Sequence, residues 1–213
     1  MKFAELLDIV GDLPLFRGSL LLAGDHDPAD VRRQLSRWKA AGKVVQLRRN
    51  LYALASPWRR AEPHPFLVAN ELHGPSYVSL QSALAHYGMI PESVPVTTSV
   101  TTGRPIQIST PFGLYAYRHL RRDAFFGYRQ TPVFRNQESL VATPAKALLD
   151  LSYLTPGGAS MAHLKSLRLD GLEQVHEDEL LGHARRWGKP AILKAAENIL
   201  RLREGPAGGD IRP

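Results

Sequence analysis

Apolar positions at the start of the chain recur at helical spacing. Phe3, Leu6, Leu7 and Val10 fall at i, i+3, i+4 and i+7, on one face, and Gly11 ends the run. Pro14 to Arg17 reads as a short strand. Ser19 is placed to cap a brief helix over Leu20 to Ala23, closed by Gly24. The third helix has the plainest boundaries: Asp27 is an N-cap residue, Pro28 suits the first helical position, Asp30 lies in the first turn and Gly42 follows the end. Its apolar stripe is Val31, Leu35 and Trp38. Two β-rich runs, Val44 to Leu47 and Leu51 to Leu54, then flank a three-residue turn, Arg48-Arg49-Asn50, in which Asn50 can take the left-handed conformation. Two short helices, a third helix and a hairpin, in that order, predict a winged helix-turn-helix over residues 1–61.

Pro57, Pro63 and Pro65 mark a linker, and the pattern changes beyond it. Helices are expected over Phe66 to Leu72 and over Leu80 to Tyr87, the second capped by Ser79. The Val- and Thr-rich stretch Val94 to Thr102 predicts a strand. Ile106 to Ser109 and Leu114 to His119 form an antiparallel pair turning at Pro111-Phe112-Gly113, with short strands around Val133-Phe134 and Leu140-Val141. Thr143-Pro144 starts a helix whose inward face is Ala147, Leu148, Leu151 and Leu154, stopped by Pro156-Gly157-Gly158. Two more helices follow, Glu177 to Trp187 and Lys189 to Leu202. The chain is therefore read as α+β: the winged helix, then a larger mixed α/β domain over residues 62–204 with antiparallel strands and C-terminal helices. The Gly/Pro-rich tail, 205–213, reads as disordered.

Charge sharpens this picture. The chain of 213 residues carries a net +7. From Pro28 to Arg60 there are nine basic residues against one acid, Asp30, so this stretch alone exceeds the net charge of the whole. A polyanionic partner met through this segment follows. Double-stranded DNA fits, since a helix enters the major groove and arginine or glutamine reads base edges there. The candidate contacts on the third helix are Arg32, Arg33, Gln34, Ser36, Arg37 and Lys39. At the hairpin tip, Arg48, Arg49 and Asn50 would reach a flanking groove or phosphates. The plainer alternatives are a solvated helix face and a charged turn.

Other chemistry is thinly supported. There is no cysteine, hence no disulfide, thiol nucleophile or thiolate metal site. His176 and His183 lie seven apart without a ligand spacing, so no metal is expected. Lys146 and Asp150, at i and i+4, read as a surface ion pair. An acid–acid–lysine nuclease pattern is missing, as are G-x-S-x-G, phosphate-binding and dinucleotide-binding glycine motifs. No enzyme activity and no cofactor are expected. Neither a signal peptide nor a bilayer-length apolar run is present, which points to the cytoplasm and away from membranes.

Five segments in order carry a family likeness: LRRNLYAL, YVSLQSALAHYGMIPE, VTTSVTTGR, FGLYAYRHL with the following FFGYR, and VATPAKALLDLSYL. Over roughly Phe3 to Leu154 the chain resembles the AbiEi antitoxins of type IV toxin–antitoxin systems. Asn50 stands where that family often has Gly, and Ala145 where it often has Glu. The resemblance implies an antitoxin that represses its own operon by binding inverted repeats, as a homodimer or as cooperative monomers. It also implies a second domain that counters a cognate nucleotidyltransferase toxin, often without a stable complex. The alternative is a stand-alone winged-helix regulator whose second domain binds a ligand, with Tyr77, Tyr87, Phe112, Tyr115 and Tyr117 lining a pocket or, more simply, filling a core.

Overall fold

A computed structural model describes residues 1–23, 26–92 and 94–204. The expected closure of the second helix by Gly24 and the tail 205–213 lie outside the described residues. The chain is α+β.

The N-terminal part follows the pattern of its apolar residues. Helix α1 (Phe3–Val10) is followed by strand β1 (Phe16–Arg17), a 3-10 turn (Gly18–Leu22), helix α2 (Pro28–Ala40) and strands β2 (Val44–Arg48) and β3 (Leu51–Leu54). The strands form one antiparallel sheet in the order β1-β3-β2, which completes a winged helix-turn-helix. The Asp27 carboxylate accepts from the Ala29 and Asp30 amides, satisfying two of the donors that a helix start leaves open. Leu6, Val10, Phe16, Leu21, Val31, Leu35, Trp38, Val44 and Leu54 form its core. The Ser19 side chain makes no cap bond; the segment it was to cap is a 3-10 turn that already begins at Gly18. The hairpin differs by one residue from expectation. Its turn is only Arg49-Asn50, because Leu47 is bulged out of register between Gln46 and Arg48. Asn50 is left-handed, with φ 64°.

The rest builds a six-stranded sheet in the order β6-β7-β5-β4-β9-β8. Its strands are β4 (Ser76–Val78), β5 (Val96–Thr101), β6 (Ile106–Thr110), β7 (Gly113–His119), β8 (Tyr128–Phe134) and β9 (Gln137–Ala142). The β4–β9 and β5–β7 pairs are parallel and the others antiparallel. Helices α3 (Pro65–Leu72), α4 (Leu80–His86), α5 (Pro144–Leu154), α6 (Met161–Ser166), α7 (Glu177–Trp187) and α8 (Pro190–Glu204) cover it. Sequence reasoning shortened β8 and β9 and missed β4 and α6. The short, fully buried strand Ser76–Val78 has no alternation to betray it. Helix α5 is buried from Pro144 to Ser152 and not on one face only, since α4, α7 and α8 all pack against it.

The two parts share a seam. Leu51 of β3 is 1% exposed and belongs to the larger core, against which Leu15 and Leu47 also pack. The outward bulge at Leu47 thus has a destination. Arg17 of β1 pairs with Glu71 of α3 at 2.6 Å. At the linker, the Gln137 side chain accepts from the His64 amide at 2.8 Å and donates to the Glu62 carbonyl at 2.8 Å.

Candidate nucleic-acid interface

Helix α2 buries Val31, Leu35 and Trp38 and turns Arg32, Arg33, Ser36, Arg37 and Lys39 to solvent. Gln34 is half-buried at the margin of that face. The exposed residues differ in what they have left to offer. Arg33 is held 3.0 Å from Asp30, in an open setting where such a pair is weak and readily exchanged for a phosphate. Lys39 donates to the Gln46 carboxamide of β2 at 2.9 Å. Arg32 and Arg37 have no ion-pair partner among the described residues.

The wing divides in the same way. Arg49 at the tip is exposed and unpaired among the described residues. Asn50 is used internally: its side-chain oxygen accepts from the Ser19 amide at 3.2 Å and its carbonyl from the Gly18 amide at 3.3 Å. It therefore pins the wing turn to the 3-10 segment. A Cβ at residue 18 would lie 2.8 Å from that same oxygen, so the approach needs Gly18. Arg48 points the other way. Its guanidinium donates to the Leu72 carbonyl at the end of α3, which removes it from the outward face of the wing and makes it a strut between the two parts. Arg48 and Asn50, both expected at the tip of the wing as contacts, are thus each engaged within the chain while remaining exposed.

Arg32 from α2 and Arg49 from the wing line one cleft of about 350 Å³, floored by Val31, Leu35 and Tyr52. Two unpaired guanidinium groups from different elements that line one cleft can present donors to a single run of anionic backbone. Residue spacing does not reveal this juxtaposition, because it arises only when the hairpin folds back beside α2.

A second concentration of charge is buried. The Lys146 ammonium donates to one oxygen of Asp150. The other oxygen accepts from the Ser79 hydroxyl at 2.7 Å and the Tyr77 hydroxyl at 3.0 Å. Lys146 and Asp150 are both fully buried, so the expected surface ion pair is a core pair instead. The indole of Trp187 lies 4.3 Å from the ammonium, with Phe126 at 5.2 Å and Tyr77 at 5.6 Å. Burial pushes the carboxyl up and the ammonium down; their mutual attraction works against both shifts, and the two hydroxyl donors work against the carboxyl's. Ser79 reaches Asp150 rather than capping α4, and the next residue, Leu80, sits at φ 58°, a region that leucine rarely visits. These groups tie β4, the start of α4 and α5 into one unit.

Tyr77, Tyr115 and Tyr117 are all buried in the core. Among the described residues no group of three or more His, Asp or Glu could hold a metal. No helix there is long and apolar enough to cross a membrane.

No family model matches the chain, and no curated protein matches it. Among solved structures, the RV2827C protein from Mycobacterium tuberculosis is similar at 17% identity and a TM-score of 0.46, over 87% of this chain and 71% of that one.

Proposed function

We propose that this protein is a DNA-binding repressor of its own operon and the antitoxin partner of a nucleotidyltransferase toxin, acting in the cytoplasm. The observation that carries the DNA reading is the cleft shared by Arg32 and Arg49, with Arg37 of α2 also exposed. In a helix-turn-helix the helix corresponding to α2 enters the major groove, while the wing meets the backbone or minor groove alongside. Unpaired arginines are the residues best suited to both tasks, since they hold five donors in a rigid fork. An inverted-repeat operator would seat two copies, as a dimer or as cooperative monomers.

The antitoxin half of the reading rests on the five ordered segments that resemble the AbiEi family. Two measurements test the proposal. Fluorescence anisotropy against the DNA upstream of the gene should show salt-sensitive binding that exceeds binding to random DNA by about a thousandfold or more. Where a nucleotidyltransferase toxin is encoded beside this gene, co-expression with it should restore growth. Equal affinity for both DNAs would end the repressor reading, and unrelieved toxicity would end the antitoxin reading.

A further inference from the structure

At the seam between the winged helix and α3 lies a cavity of about 530 Å³. That volume is in the range of small-molecule sites, about 300–1,000 Å³. Its walls are aliphatic: Leu15 and Leu51 from the winged helix face Leu67 of α3. Leu13 and Leu20 complete the rim and remain 38% and 42% exposed. Apolar surface of this kind is better covered than wet. Arg17 and Glu71 are the only charged residues among the described residues that line the cavity. Their contact uses one guanidinium nitrogen, Nη2, and one carboxylate oxygen, so the remaining donors of Arg17 are open to a second acceptor. The Arg17 side chain is also the more exposed of the two, at 55% against 33%.

We infer that this cavity binds an amphiphilic acid: an aliphatic or aromatic body lying on the leucines, with a single carboxylate or sulfonate head on Arg17. Ser19 lines the same cavity. The inference goes beyond the DNA and antitoxin readings and does not depend on either.

The test uses the full chain and no DNA. Titration with 1-anilinonaphthalene-8-sulfonate, read by fluorescence, should give one site per chain. The site should vanish in Leu20→Asp, which places a charge on the exposed rim, and persist in Ile106→Asp, a control at a 45% exposed position on β6. Melting curves of each variant report that it is folded. Calorimetry with octanoate and octan-1-ol then reads the head group. Arg17→Ala should weaken octanoate about tenfold or more and leave octan-1-ol unchanged. Equal probe binding by Leu20→Asp and the wild type, or an octanoate affinity indifferent to Arg17, would overturn the assignment. So would a wild-type dimer in sedimentation that Leu20→Asp dissolves, because a second copy would then be what covers the leucines.

Discussion

The division of the basic residues into free and engaged ones makes a quantitative claim about salt. Each phosphate neutralised by a cation lowers the slope of log K against log salt by about 0.9. Arg32, Arg37 and Arg49 are exposed and unpaired, whereas Arg48 is committed to the Leu72 carbonyl. Replacing the three free arginines by alanine therefore removes about three contacts and should flatten the slope by about 2.7. Between about 50 and 200 mM salt the wild type should lose about fortyfold more affinity than the triple variant. Arg48→Ala should leave the slope unaltered and instead lower the melting temperature, because a carbonyl at the seam loses its donor at a cost of about 1–3 kcal/mol. The assay is an anisotropy titration of operator DNA over a salt series, with thermal melts of each variant alongside. A triple variant with the wild-type slope, or an Arg48→Ala slope flattened by as much as one contact, would refute the assignment of these side chains.

Three further outcomes are expected from the second domain. Lys146→Met strands the Asp150 carboxylate in the core and should cost about 3–5 kcal/mol by chemical denaturation; a loss under about 1 kcal/mol would show that the pair is not closed to water. Gly127→Ala should destabilise by about 1–3 kcal/mol, since residue 127 has φ 74° and an added Cβ would sit 2.9 Å from both the Lys146 stem and the His183 ring. A melting temperature equal to the wild type's would count against that packing. The third concerns pH. His64 caps α3 by accepting the Phe66 amide on Nδ1, and burial, then the neighbouring His86, lowers its pKa from the ordinary 6.5. A base with a depressed folded pKa contributes stability that is complete above 6.5 and is lost as the pH falls through the folded value. His64→Asn keeps a cap and removes the titration, so it should shrink the fall in melting temperature between about pH 7.5 and 5. An unchanged fall would assign it to other groups.

The winged helix was legible because each of its signals is local. The Asp27-Pro28 start, the Val31-Leu35-Trp38 stripe and the left-handed Asn50 all act within a few residues of themselves. What the sequence concealed depends on distant partners. Nothing near Lys146 says that Asp150 will be met by hydroxyls from Tyr77 and Ser79, some 70 positions earlier. Arg48 and Arg49 are neighbours with the same side chain, and only the position of α3 separates a strut from a free contact. The parallel β4–β9 pairing was hidden for the same reason, since it joins strands more than 60 residues apart.

The burial of Leu51 in the larger core bears on how this chain can be taken apart. A fragment ending at the linker would keep every residue of the smaller core yet bare Leu15, Leu47 and Leu51 along one flank of its wing. Such a fragment would carry a sticky strip on the flank of the proposed DNA-binding part, and aggregation or loss of wing shape in it would reflect the missing neighbour and not an intrinsic weakness in binding. For dissecting or transplanting the winged helix, the unit to carry is that element together with α3, or else a winged helix whose three leucines have been made polar.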